Sequence, residues 1–238
     1  MTKRIVIFVG AQGSGKTTQA HLLLQRLKSQ GLDVRITSLS YYVIFQLKFM
    51  EFLKKASGTH TIKVKPYENL QPHIDPAPEM YKSFFGLLIA LHLFSFFLSR
   101  IKQMVLRPFY GVIIEHEGYI MKEIADLDYL VNRSNINPRS ITSKLLEKMK
   151  VLLLSPLKKY PVVIIYFEGQ PGFLKPRYLR RSSGIEPSDY IYFQNMIYDK
   201  LISILGHSTN IVVIKPNPNN PISKVHRDIL SSIPMIED

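Results

Sequence analysis

Continuous apolar runs alternate along the chain with longer segments in which apolar residues recur every three or four positions. Unbroken apolar runs are typical of strands covered on both faces of a sheet, and the longer spacing is typical of amphipathic helices. The runs predict strands at 5–9, 34–39, 111–115, 162–167 and 211–214. The periodic segments predict helices at 15–30, 41–55, 79–106, 120–131, 140–154, 187–205 and 222–233.

Strands that are separated by helices favour a parallel sheet, because each parallel connection crosses over the sheet and its helix covers one face. We therefore expect an α/β fold of three layers, with helices on both faces of a mostly parallel, five-stranded sheet. A length of 238 residues fits one domain at 1–238, and no change in composition marks a second one.

A glycine-rich stretch, GAQGSGKTT, lies between the first predicted strand and the first predicted helix, and residues 10–17 fit the spacing G-x-x-x-x-G-K-[ST] of a phosphate-binding loop. Glycines let the backbone turn its N–H groups toward phosphate oxygens, and the helix N-terminus adds its dipole. Lys16 is expected to reach the β- and γ-phosphates of ATP, and Thr17 to hold Mg²⁺. The predicted nucleotide contacts are Gly10, Ala11, Gln12, Gly13, Ser14, Gly15, Lys16, Thr17 and Thr18.

Three stretches of sequence carry a family resemblance. The loop contains GSGKTTQ, the segment PGFLKPRYLRR is followed by YFQ and YDKL, and the tail contains NPISKVHRDIL. Together they resemble the loop, the lid with its following helix, and the last helix of the thymidylate kinase family. The resemblance implies a three-layer P-loop kinase fold with a lid at about 171–186. It also implies transfer of the γ-phosphate of ATP, with Mg²⁺, to thymidylate or another nucleoside monophosphate.

Two arginines in the lid segment are candidates for the transition state of phosphoryl transfer. Arg177 and Arg181 are four residues apart, so on a helix that starts at Pro176 they share one face. Guanidinium groups stabilise the charge that builds up on the oxygens of the transferred phosphoryl group. We therefore predict catalytic roles for Lys16, Arg177 and Arg181.

The third predicted strand ends in Glu115-His116-Glu117, and the carboxyl ends of parallel strands face the ligand. By alternation, Glu115 and Glu117 point to one side of the sheet and His116 to the other. The resemblance aligns Glu117 and Tyr119 with the family's Asp-Arg-Tyr. It implies that Glu117 is catalytic and holds Mg²⁺ together with Thr17.

The acceptor contacts that the resemblance implies differ from the family pattern. Gly118 stands where the family has its arginine, and the family's Arg-Glu-Pro-Gly-Gly is absent after the second strand. Arg100, in the stretch FFLSR, lies about one helical turn closer to the third strand than the arginine of the family's F-x-A-x-R. The predicted acceptor contacts are Arg100, Tyr119 and Gln12. The differences predict that thymidylate itself is accepted weakly.

Composition limits the partners and the compartment. The net charge of +13 suits polyphosphates, nucleic acid or an anionic membrane surface. The chain has no cysteine, which excludes disulfides, thiolate metal ligands and a cysteine nucleophile and suits the cytoplasm. Residues 83–99 are uncharged and mostly apolar, but a membrane span usually needs about 20 such residues. We predict a buried helix there and no transmembrane span.

Two other classes of function fit the same loop. One is a kinase of a hydroxyl acceptor, such as a nucleoside, a sugar or a polynucleotide end. The other is a P-loop ATPase without kinase activity that binds nucleic acid or membrane, although the chain lacks the apolar run followed by Asp-Glu that is typical of helicase-like motors. We expect a small phosphate acceptor, preferably a nucleotide, as the partner. Nucleic acid is not favoured, and a homodimer stays open.

Overall fold

The computed structural model describes residues 4–37, 94, 109–116, 118–133, 141–155, 157, 161–180, 188–205, 211–217 and 219–233. The strands in these ranges are β1 (Arg4–Gly10), β2 (Val34–Thr37), β3 (Val112–Glu115), β4 (Val162–Phe167) and β5 (Ile211–Ile214). The helices are α1 (Lys16–Ser29), α2 (Tyr119–Arg133), α3 (Ile141–Leu154), α4 (Pro171–Arg180), α5 (Ser188–Leu205) and α6 (Ile222–Ser232).

The described strands form one sheet in the order β2-β3-β1-β4-β5, and every pair in it is parallel. This arrangement confirms the predicted α/β class. Strand β1 lies in the centre, with Ile7 in register with Glu115 on one side and Gly10 in register with Phe167 on the other. The chain places β2 and β3 on one side of β1 and then β4 and β5 on the other. The carboxyl end of β1 therefore lies at the switch point where open α/β sheets bind their ligands.

Alternate residues of β1 bury their side chains in two separate cores, which makes the fold three-layered. Ile5, Ile7 and Val9 pack in a cluster with residues of α2, α3 and α5. Val6 and Phe8 pack in a second cluster with residues of α1 and α6. Fully burying an aliphatic or aromatic side chain of this size stabilises a fold by about 1.5–3 kcal/mol. The unbroken apolar run of β1 is thus explained by burial on both faces.

Helix α1 starts directly after the glycine-rich loop and ends where the sequence predicts. It buries Ala20, Leu23 and Leu27 against the sheet. At its end Gly31 has a φ of 80°, and the N–H of Leu32 donates to the carbonyl of Leu27 over 3.2 Å. This is a Schellman turn, in which a left-handed residue, usually glycine, satisfies the last helical carbonyls.

Helix α4 differs from the sequence prediction, because it begins at Pro171 and contains Pro176 in its interior. Both prolines suit the first helical position, where no N–H is needed. Pro176 removes the hydrogen bond that its N–H would donate to the carbonyl of Gly172. Both residues are exposed, so water can satisfy that carbonyl.

Several predictions fall outside the described residues. They are the helix at 41–55, the buried helix at 83–99, apart from Phe94, and the site residues Arg100, Glu117 and Arg181. Phe94 is helical, and 57% of its side chain is exposed. No helix among the described residues is long and apolar enough to cross a membrane.

Candidate nucleotide-binding site

The loop between β1 and α1 has the backbone conformation of a glycine-dependent turn. Gly10, Gly13 and Gly15 have φ angles of 139°, 77° and 102°, which residues with a Cβ rarely adopt. A Cβ on Gly10 would also overlap the carbonyl oxygen of Phe167, at the end of the neighbouring strand β4. The predicted glycines are therefore required by the fold of the loop itself.

The ammonium group of Lys16 lies over this loop. Its Nζ donates to the carbonyl oxygens of Gly10, at 2.8 Å, and Ala11, at 2.6 Å. The side chain folds back from the first residue of α1, so its charge lies above the start of the loop. A cation held on carbonyl oxygens here can also bind an anion, because phosphate oxygens are stronger acceptors than carbonyls.

The polar side chains after the glycines differ in exposure. Thr17 is exposed and Thr18 is half-buried, so both hydroxyl groups lie within reach of solvent or ligand. Ser14 is only 3% exposed, and its Oγ has no hydrogen-bond partner among the described residues. Leaving such a group unsatisfied costs about 1–3 kcal/mol. A phosphate oxygen or a water in the loop would satisfy it, so the loop suits a phosphate group.

Helix α4 brings Arg177 to the same loop. Its Nη1 donates to the carbonyl oxygen of Gly13 over 3.2 Å, and its guanidinium carbon lies 3.9 Å from the centre of the Phe173 ring. Stacking on Phe173 fixes the guanidinium plane, since both groups are on α4. The loop therefore carries two cations, Lys16 from α1 and Arg177 from the lid segment. The sequence placed both at the nucleotide, and their roles stay predictions.

The carboxyl ends of β2 and β3 are joined by side chains. Glu115 is buried and accepts a hydrogen bond from Thr37 Oγ1 at 2.9 Å. His116 Nδ1 lies 3.0 Å from the carbonyl oxygen of Thr37, and its ring centre lies 6.3 Å from that of His21 on α1. Since α1 packs on one face of the sheet, His116 is on that face and Glu115 on the other, as alternation predicts. Sequence reasoning missed the two interacting histidines.

The turn after β3 is close-packed. Gly118 has a φ of 85°, and a Cβ there would lie 3.1 Å from the Cβ of Lys122. Lys122 Nζ forms an ion pair with Asp126 at 3.1 Å, and the hydroxyl of Tyr190 donates to the same carboxylate. Through the buried carboxylate of Asp126, this network joins the first half of α2 to the start of α5. Tyr119 is the first residue of α2, and Gln12 lies half-buried in the phosphate loop.

Gln19 joins the first turns of α1 to α6. Its Nε2 donates to the carbonyl oxygen of Ile222 over 2.9 Å, and its Oε1 accepts from His226 Nδ1 over 3.2 Å. Burial lowers the pKa of His226, and the positive charge of Arg26 lowers it further. The neutral imidazole is thus the favoured form at this junction. The sequence contained GKTTQ, but it did not show that the glutamine binds the last helix.

Sequence comparisons identify no relative of this chain: no protein-family model matches it, and no curated protein matches it significantly. Among the described residues, no group of three His, Asp or Glu side chains is placed to hold a metal ion.

Proposed function

We propose that this protein transfers the γ-phosphate of ATP to a small acceptor, with a nucleoside monophosphate as the leading candidate. The observation that carries the proposal is the meeting of Lys16 and Arg177 on one glycine-rich loop at the carboxyl end of the central strand. Loops of this kind hold phosphates, and two cations over one phosphate site suit charge stabilisation in phosphoryl transfer. The resemblance to thymidylate kinases supports the same chemistry.

In this proposal, different groups of the site bind the phosphates, neutralise the charge of the transferred group and coordinate Mg²⁺. Backbone N–H groups of the loop and the start of α1 bind the phosphates, and Lys16 and Arg177 neutralise charge on the transferred group. The hydroxyl of Thr17 is an oxygen donor for Mg²⁺, which supplies further positive charge when it is bound. Transfer then needs no nucleophile from the protein, because catalysis comes from positioning and electrostatics.

The acceptor is expected to differ from thymidylate. Gly118 offers no side chain where the family has an arginine, and a charge-assisted hydrogen bond of that kind contributes about 1.5–3 kcal/mol. Among the described residues, Lys122 packs beside Gly118, and its Nζ forms an ion pair with Asp126. We therefore propose that thymidylate is a weak acceptor and that a related monophosphate is preferred.

The absence of cysteine suits a reducing compartment such as the cytoplasm.

A hydroxyl acceptor is the second candidate, and His116 favours it. The carbonyl oxygen of Thr37 can only accept, so His116 Nδ1 is the donor in this contact and Nε2 is the ring nitrogen left for a substrate hydroxyl. Transfer to a hydroxyl releases a proton that such a nitrogen can take. Transfer to a phosphate monoester does not, because its oxygens already carry negative charge at neutral pH.

The test is a screen for acceptor-dependent ADP formation. Purified protein is incubated with Mg²⁺, ATP and each ribo- and deoxynucleoside monophosphate or each common nucleoside, with Lys16→Ala as the blank. A monophosphate that stimulates ADP formation and gains a phosphate supports the leading proposal, and a nucleoside that does so supports the second candidate. ADP formation that only DNA, RNA or anionic vesicles stimulate would replace both with the ATPase class. If nothing stimulates turnover above the blank, the proposal is wrong.

A further inference from the structure

The junction between β4 and α4 is pressed against the phosphate loop at Gly169. A Cβ on this residue would lie 2.7 Å from the Cβ of Ala11, 3.0 Å from Cγ2 of Ile191 and 3.3 Å from Cδ1 of Leu174. Because real Cβ atoms do not approach one another to 2.7 Å, the junction has no room for a methyl group. The position of Gly169 is thus coupled directly to the loop that contains Ala11.

The side-chain amide of Asn195 holds this junction from the other side. Its Nδ2 donates to the carbonyl oxygen of Gly169 over 2.6 Å, and its Oδ1 accepts from the N–H of Gly169 over 3.1 Å. One amide thus satisfies both backbone groups of one residue, as a neighbouring strand would. Asn195 is only 9% exposed, so water competes weakly for these bonds.

Tyr166 fixes the orientation of that amide. Its hydroxyl donates to Asn195 Oδ1 over 3.3 Å, which gives Oδ1 a second donor, and the backbone carbonyl oxygen of Asn195 is a longer second acceptor at 3.5 Å. Burial raises the pKa of Tyr166, and the negative charges of Asp199 and Glu168 raise it further. The hydroxyl therefore keeps its proton and stays a donor. With two donors on one side and a carbonyl on the other, the amide has a single favoured orientation.

Arg177 depends on the same junction. Helix α4 begins at Pro171, and its Leu174 is buried in a cluster with Ala11 and Ile191. One turn further on, Arg177 reaches the carbonyl of Gly13. A shift of Gly169 therefore moves the start of the helix that presents the guanidinium to the loop.

We infer that Asn195 is a positioning residue for phosphoryl transfer, which acts by fixing Gly169 and, through α4, the guanidinium of Arg177 on the phosphate loop. This inference rests on the proposed function. Among the described residues, the side-chain amide of Asn195 bonds to Gly169 and Tyr166, so we expect its effect on the loop to pass through Arg177. Misplacing a catalytic group by about 1 Å can lower a rate by roughly a hundredfold.

Asn195→Asp is the sharpest variant, because it keeps the acceptor for the N–H of Gly169 and replaces the donor to the carbonyl by an oxygen. We expect kcat to fall by roughly ten- to a hundredfold while KM for ATP changes by less than about threefold. The same substitution made in Arg177→Ala should have almost no further effect, since the group that it misplaces is gone. Met196→Ala, at an exposed neighbour on α5, is the matched control and should leave kcat unchanged.

A readout without turnover separates this inference from the proposed function. Amide hydrogen exchange in 171–180 should rise in Asn195→Asp, while exchange in 222–232 should not change. Equal losses of kcat in the wild-type and Arg177→Ala backgrounds, or unchanged exchange in 171–180, would overturn the inference. If the wild type transfers no phosphate at all, the proposed function fails and the exchange result alone decides whether Asn195 positions α4. Should Asn195→Asp not fold, Asn195→Ser, which keeps one hydroxyl for the Gly169 backbone, takes its place with the same expected outcomes.

Discussion

The guanidinium of Arg177 donates to the carbonyl oxygen of Gly13 over 3.2 Å, although 164 positions of sequence separate the two residues. The contact fixes the lid segment on the phosphate loop with an arginine rather than with an apolar side chain. An arginine so placed can exchange a neutral carbonyl for a charged phosphate oxygen without leaving the loop.

Replacing Arg177 by alanine should therefore affect turnover more than nucleotide binding. We expect kcat to fall by roughly a hundredfold or more, with a smaller rise in KM for ATP, because the guanidinium matters most when charge builds up on the transferred group. Steady-state kinetics with the acceptor found in the screen measure both constants. Lys175→Ala removes an exposed cation of the same helix and serves as the control. A change confined to KM for ATP would mean that Arg177 only binds nucleotide.

Lys16→Ala should abolish most of the activity. The ammonium group donates to the carbonyl oxygens of Gly10 and Ala11, so it places a positive charge directly at the phosphate loop. Loss of a preorganised electrostatic contact lowers phosphoryl transfer by at least about a hundredfold. Lys28→Ala, in the last turn of α1, removes an equal charge away from the loop. Turnover of Lys16→Ala at the wild-type rate would contradict the assignment of the phosphate loop.

The hydroxyl of Tyr190 should contribute to stability rather than to catalysis. It is fully buried, donates to Asp126 and accepts from Gln194 Nε2 at 2.9 Å. Tyr190→Phe leaves a buried carboxylate with one donor fewer, so we expect the free energy of unfolding to fall by about 1–3 kcal/mol. Urea denaturation measures the change. Tyr192→Phe, at a position 63% exposed on the same helix, should change it little. Equal effects of the two substitutions would show that the network does not stabilise the fold.

His226 should make the fold less stable in mild acid. Burial and Arg26 lower its pKa in the folded protein below the ordinary value of 6.5, so folding favours the neutral ring. The resulting stability is present above the unfolded pKa and is lost as the pH falls through the folded one. The urea midpoint of the wild type should therefore drop more steeply between about pH 7.5 and pH 5 than that of His226→Gln, which cannot be protonated. Parallel pH profiles would rule out this role for His226.

The regular elements were accessible to sequence reasoning because their causes are local. A few consecutive residues are enough to recognise the buried runs of β1 and β4 and the glycine after α1, and the structure confirms them. The predicted start of α4 at Pro176 was wrong, because Pro171 and Pro176 both suit the first position of a helix. Only the packing of Leu174 on Ala11 distinguishes the two prolines.

Contacts between distant residues were not accessible in the same way. Asn195 binds the backbone of Gly169, Gln19 binds the carbonyl of Ile222, and His21 lies beside His116. Each of these contacts joins distant parts of the chain. Nothing in the spacing of one segment signals such a contact, because it depends on how the elements pack. The phosphate loop is the exception, since strand, glycines, lysine and helix are contiguous in the sequence.

The central position of β1 also affects how the protein can fold while it is being translated. The ribosome releases β1 well before its two neighbours, which are β3 at 112–115 and β4 at 162–167. At about 5–20 residues per second, the backbone of this apolar strand therefore has no native partner on either edge for several seconds. Such a strand is a target for chaperones during synthesis, and β4 must be translated before both edges of β1 can be paired.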